Sequence, residues 1–159
     1  MAIYLKYGDV KGSVTTEGFK GWIELNSFQM GIGRGIGSPT GSDLTREATA
    51  PSISEIVVTK VMDAASHKLL TDAWAGEMNT KAEIHFTTTT KDKTDTYLKY
   101  ELTDCGLSGY SISSGGDRPQ ESLSINFTEI KSTWHDRDSG GKSTPNTIGY
   151  SLKQLKKLA

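Results

Sequence analysis

Alternation of apolar and polar side chains constrains this chain more than any other feature. In Ile3-Tyr4-Leu5-Lys6-Tyr7 the odd positions are apolar. In Lys81-Ala82-Glu83-Ile84-His85-Phe86 the even positions are apolar, and Glu83 and His85 point the other way. In Glu121-Ser122-Leu123-Ser124-Ile125-Asn126-Phe127-Thr128, Leu123, Ile125 and Phe127 share one face. Ser122, Ser124, Asn126 and Thr128 share the opposite, wet face. Side chains alternate across a strand, so each segment predicts a half-buried β-strand. Further strands are predicted at Trp22–Met30 and Ile53–Val61, the latter apolar on both faces around Ile56-Val57-Val58. The segment Thr96–Ser113 has Leu98, Tyr100 and Leu102 in phase, with a bulge, bend or turn expected near Cys105-Gly106.

One helix is predicted after Asp63 or Ser66, either of which can cap its start. Leu69 or Leu70, then Ala73 and Trp74, form its apolar stripe, and Gly76 is the natural stop. Two segments carry no regular pattern. The first, Gly31–Pro51, holds Gly31, Gly33, Gly35, Gly37, Pro39 and Gly41 and predicts a long extended loop. Loops of about 20 residues in compact domains are usually functional or disordered. The second, Arg137–Thr147, is rich in Gly, Ser, Asp and Thr, and Ser151–Lys157 is a short helix or frayed tail. The expectation is one domain over residues 1–159, with residues 31–51 as extended loop and 137–159 as loop and tail.

Such a chain can bury roughly 70% of its unfolded surface, so it needs neither disulfide nor metal to fold. Its 18 basic and 19 acidic residues nearly cancel, which argues against a nucleic-acid binder. The single cysteine, Cys105, makes no intrachain disulfide and reads as a buried small residue. Met1–Tyr7 has no basic, then apolar, leader pattern, and no apolar run approaches the ~20 residues of a membrane helix. Synthesis and folding in the cytoplasm are expected, without membrane insertion.

Several motifs fail on a specific missing part. Gly31-Ile32-Gly33-Arg34-Gly35-Ile36-Gly37 is followed by Ser38-Pro39, where a dinucleotide site needs a helix. Gly141-Lys142-Ser143 has Asp136 where a phosphate loop needs its first glycine. The loop beginning Asp136-Arg137-Asp138 has Thr147 where a calcium loop needs glutamate. His67, His85 and His135 share no metal-ligand spacing. No catalytic, cofactor or metal residue is therefore assigned, and the chain does not read as an enzyme.

Three longer segments together resemble the Hcp (haemolysin-coregulated protein) family of type VI secretion. Gly21–Gly35 is similar to its Ser-Phe-Gln strand followed by Gly-x-Gly-Arg, here Ser27-Phe28-Gln29 and Gly31-Ile32-Gly33-Arg34. Pro51–Lys60, with Asp63 and Ser66 beyond it, and Glu121–Ile130 resemble two further family strands. Ile3-Tyr4-Leu5-Lys6 also fits, so the likeness runs from about Ala2 to Trp134. The resemblance implies a mainly β fold: a compact β-barrel of antiparallel strands with one α-helix packed outside. It implies a structural subunit of the secretion tube, a homo-hexameric ring that stacks further. Its partners would be spike protein, contractile sheath and effectors. The protein would leave the bacterial cytoplasm for the extracellular space or a target cell without a cleaved signal peptide.

Within that frame Arg34, Asp43, Leu44, Thr45, Arg46 and Glu47 are candidates for ring stacking, since both charge signs can set register between identical partners. Ser122, Ser124, Asn126 and Thr128 are candidates for a lumen-facing surface. The competing expectation is a monomeric β-barrel that binds a small ligand or carbohydrate on Trp22, Trp74 or Trp134, though Trp74 reads as helix core.

Overall fold

The computed structural model describes residues 1–37, 48–137 and 142–158. Along the described chain run β1 (Ala2–Tyr7), β2 (Ile23–Leu25), β3 (Ser27–Gln29), β4 (Ile32–Gly33), β5 (Ser52–Ile53) and β6 (Ile56–Val61). Helix α1 (Ser66–Ala75) follows, then β7 (Thr80–Thr90), β8 (Lys93–Ser113), β9 (Gln120–Asn126), β10 (Glu129–Arg137), β11 (Ser143–Ser151) and β12 (Lys156–Leu158).

The strands form two antiparallel layers. The larger has the order β12-β11-β10-β8-β7-β1-β2, and the smaller is β3-β6-β9-β8. Strand β8 belongs to both. Its first part pairs with β7 and β10, and from Gly106 onward it pairs with β9. The change of partner is marked by Asp104, at φ 53°, and by a register shift between Leu107 and Gly109. The Met78 side chain lies against Gly106, where any larger residue would push the methionine sulfur aside. The predicted interruption near Cys105-Gly106 is thus present as a bend within one strand.

The layers meet again at Asn26. The segment predicted as one strand over Trp22–Met30 is split there into β2, paired with β1, and β3, paired with β6. The Asn26 N–H donates to the Thr59 carbonyl at 2.7 Å. The expected mainly β, antiparallel fold with one outer helix is the fold of the chain. The barrel is not closed: among the described residues β2 and β6 approach at a seam with no ladder between them.

Between the layers lies a core of Leu5, Tyr7, Ile23, Ile56, Val58, Ile84, Leu102, Leu123, Ile125 and Phe127. Each such aliphatic side chain contributes about 1.5–3 kcal/mol by leaving water. Val57 is only half-buried, so β6 is closed over on its Ile56–Val58 face and partly open on the other. Helix α1 packs Leu69 into this core, and the Tyr7 hydroxyl donates to Asp72 Oδ2 at 2.7 Å. Seating Leu69 inward brings Ala73, one turn on, against the core. Trp74 is then rotated well away, and it is 77% exposed instead of lying in the helix core. Gly76 does end the helix, in extended rather than left-handed conformation.

Two irregular-looking segments contain strands. The base of the 31–51 loop is a ladder of Ile32 and Gly33 with Ile53 and Ser52, followed by a bridge from Ile36 to Ala48. In the C-terminal region, expected as loop and tail, β11 pairs with β10 over nine positions from Glu129↔Ser151 to Arg137↔Ser143. Strand β12 then pairs with β11, so Ser151–Lys157 is neither helix nor frayed. Pro145 and Gly149 hid β11 from a propensity argument, but a long neighbour can impose pairing that a weak sequence would not adopt alone.

Candidate functional site

Two surfaces and one buried cluster carry what is distinctive about the molecule. The first surface is the outer face of the small sheet. Register places Ser27, Thr59, Ser122 and Ser111 in one row across β3, β6, β9 and β8. Gln29, Val57, Ser124 and Gly109 form the next row. These rows contain no charge, and apart from Gln29 and Val57 their side chains are small hydroxyls or absent. Three of the four predicted wet residues, Ser122, Ser124 and Asn126, lie on this face. Thr128 does not, because β9 ends at Asn126 and the chain turns. Its hydroxyl donates to the Thr103 carbonyl and to Asp104 Oδ2 at the bend of β8.

The second surface is the arm that β4 and β5 begin. Hydroxyls fasten its base: Ser54 Oγ accepts from the Gly31 N–H at 2.7 Å, and Thr49 Oγ1 accepts from the Gly35 N–H at 2.9 Å. Arg34 is exposed on this base. Asp43, Leu44, Thr45, Arg46 and Glu47 lie outside the described residues. Met30, Ile32 and Ile53, at the base of the arm, line an apolar groove together with Tyr100, Ile130 and Ile148.

The cluster lies on the core face of the small sheet, where Lys60 and Glu121 are cross-strand partners. They are 0% and 1% exposed. Lys60 Nζ donates to Glu121 Oε2 at 2.7 Å, to the Val61 carbonyl at 3.0 Å and to Ser66 Oγ at 3.2 Å. It also lies 3.0 Å from Asp63 Oδ1. The Tyr110 hydroxyl donates to Glu121 Oε1 at 2.6 Å. Burial alone would raise the Glu121 pKa; the bonds from Lys60, Tyr110 and Ser66 outweigh it and hold the carboxyl below its ordinary range. Burial and the Glu121 bond raise the Tyr110 hydroxyl. Asp63 and Ser66 were expected as helix caps. In the structure Asp63 Oδ1 accepts from the Ala65 N–H, Ser66 Oγ accepts from the Asp63 N–H, and both turn to the Lys60 ammonium. Phase was the available signal for this cluster: Lys60 follows Ile56 and Val58 at two-residue spacing, and Glu121 precedes Leu123 and Ile125 likewise.

His85 lies on the outward face of β7, where the 10–22 segment covers it. Phe19 and Trp22 meet its ring edge to face at 5.5 and 4.8 Å between centroids. Burial lowers its pKa, only partly opposed by Glu83. The three tryptophans share no platform: Trp22 is in this cluster, Trp74 is on α1, and Trp134 packs against Tyr97. Among the described residues no group of His, Cys, Asp and Glu is arranged to hold a metal, and no helix is long and apolar enough to cross a membrane.

This double layer, with one outer helix and an arm, is shared with solved structures of proteins from type VI secretion systems. A solved structure described as that of a type six secretion system protein superposes with TM-score 0.89 at 31% identity, covering 99% of both chains. Hcp1 from Salmonella typhimurium shares the fold at 23% identity and TM-score 0.77, covering 99% of this chain and 98% of its own. A type VI secretion system effector from Yersinia pestis does so at 14% and 0.73, covering 94% and 98%. No curated protein matches significantly. The family model described as "Type VI secretion system effector, Hcp" matches residues 4–134. The chain belongs to the Hcp family.

Proposed function

We propose that this chain is a structural, non-enzymatic subunit of the type VI secretion tube. Six copies close into a ring, and rings stack into a tube exported from the bacterial cytoplasm with effectors inside it. Family membership across residues 4–134 is the observation that carries this reading. The two uncharged rows across β3, β6, β9 and β8 support it, because small hydroxyl side chains hydrate a wall and leave the nearest charge, Glu55 beside Asn126, at its margin. Ser122, Ser124 and Asn126 are assigned to that wall; Thr128, turned toward Asp104, is not. The arm from 31 to 51 is assigned to ring-to-ring contact, with Arg34 at its base and Asp43–Glu47 further along. Individually weak contacts gain strength when repeated around a ring. Spike and sheath proteins would engage the ends and outside of the tube.

Light scattering after size exclusion tests the ring, with a mass of six subunits expected. A strictly monomeric protein at every concentration overturns it, and saturable sugar binding by that monomer would favour a ligand-binding role. Deleting Asp43–Glu47 should leave rings intact and abolish stacking in electron micrographs. Normal stacking by that variant removes the arm from the interface.

A further inference from the structure

The apolar faces of β6 and β9 do not by themselves fix how the two strands align. Ile56 and Val58 lie opposite Ile125 and Leu123. Side-chain direction repeats every two residues, so a two-residue slip keeps every side chain on its own face. Slipped one way, Val58 would meet Ile125 and Ile56 would meet Phe127, an apolar set as good as the native one. The outer face is equally tolerant, since Val57 and Thr59 face serines in the native pairing and would still face small polar residues after the slip. Only two core-face residues distinguish the alignments. The slip just described sets Lys60 against Leu123 and strands Glu121. The opposite slip sets Glu121 against Val58. Either leaves a buried charge without its partner, a state far less tolerable than an apolar mismatch.

We propose that the Lys60–Glu121 pair is a register lock: it selects one alignment of β6 on β9 and one seat for α1. A buried ion pair replaced by apolar side chains of similar volume often leaves stability unchanged, so a selective role explains the pair better than added stability does. The contacts of Lys60 fit that role. Its ammonium reaches Glu121 on β9 and both Asp63 and Ser66 at the start of α1. The helix has no side-chain cap at Ala65, and its first turn is positioned from the ammonium through those two residues. Tyr110 extends the lock to β8 through Glu121 Oε1. A two-residue slip would move β9 about 7 Å along β6. The uncharged rows and the 114–119 turn would shift with it, and a slipped copy could not match its unslipped neighbours.

Cysteine pairs on the outer face read the alignment directly. Thr59 lies opposite Ser122, and the slips bring it opposite Ser124 or Gln120. Three double variants serve: Thr59→Cys with Ser122→Cys, with Ser124→Cys, or with Gln120→Cys. Each is made with the lock intact and with Lys60→Met plus Glu121→Leu, then refolded with oxidised glutathione and mapped by mass spectrometry. With the lock intact the 59–122 disulfide should dominate. Without it the share of 59–124 or 59–120 should rise at least tenfold. Any result in which the slipped share does not rise on removing the lock overturns the proposal. A lock-free chain that fails to refold also overturns it, because the pair would then be a requirement for folding and not a selector. Lys60→Met alone should refold less well than the double replacement; equal or better yield would mean that a lone Glu121 is tolerated and no lock exists.

Discussion

Strands β9 and β11 each have a hydrogen-bonded neighbour on both sides, yet they live in different surroundings. In β9, Glu121, Leu123 and Ile125 are buried and the residues between them are half-exposed. In β11, every residue from Ser143 to Ile148 is exposed, and only Ser151 is fully buried. The ladders do not account for this difference, since β11 pairs with β10 over nine positions. The layer beneath does. The small sheet shares only β8 with the large one; β10 still sends Ile130 into the core, whereas β11 from Ser143 to Ile148 sends nothing. Ile148 shares an apolar groove with Ile32 and Ile53 at the base of the arm. Backbone pairing makes a strand, and a second layer makes it a stabilising one.

That contrast can be broken most decisively at Leu123. Leu123→Ala should cost about 2–5 kcal/mol, read from the urea midpoint, because it opens a cavity in the two-layer core. A loss below about 1 kcal/mol would mean that β9 is not the better-supported strand. Next in size, Tyr7→Phe removes the hydrogen bond that ties α1 over the covered region. A loss of about 1.5–3 kcal/mol is expected, the range for hydrogen bonds to charged groups.

Acid titration sharpens the comparison further, because the two lowered pKa values described above, of His85 and Glu121, both belong to covered positions. His85 has a depressed pKa in the folded state, so its neutral form stabilises above the ordinary histidine range and that contribution fades as pH falls below about 6.5. Glu121 is also depressed, from a lower starting point. Its contribution is complete above the ordinary carboxylate range and is lost only as pH falls through the lower, folded value. Urea midpoints against pH should therefore fall in two windows. His85→Gln should flatten the upper window and leave the lower one; an unchanged upper window would show that His85 is not the group responsible. The smallest effect belongs to β11. Ile148→Ala, at a position 57% exposed, should change stability by no more than about 0.5 kcal/mol. A loss approaching that of Leu123→Ala would place β11 within the cooperative core.

Alternation made β1, β7 and β9 legible, because each has one face on the core and one toward water or a thin cover. It did not reveal β11, whose two faces are both largely wet and whose sequence therefore has nothing to alternate. The helix was legible, but Trp74 was assigned to the wrong stripe. Leu69 and Leu70 are adjacent, and choosing between them turns the stripe by about 100°. The wet face was legible to Asn126 and failed at Thr128, where a turn that alternation cannot foresee ends the strand. Lys60 and Glu121 stood in phase with the core, yet their charge argued against burial, and their meeting on neighbouring strands depends on a register that no local pattern contains. Resemblance supplied the family.

Cys105 sits at the bend of β8, where the two layers share a strand. It is 0% exposed, and burial pushes its thiol pKa up to about 12. Reaction with an alkylating dye requires the thiolate and a path to it, so the intact molecule should be nearly inert to such a reagent. Labelling at this one atom then becomes a clock for the joint between the sheets. It would report how often that joint opens, and whether the assembly proposed above slows the opening.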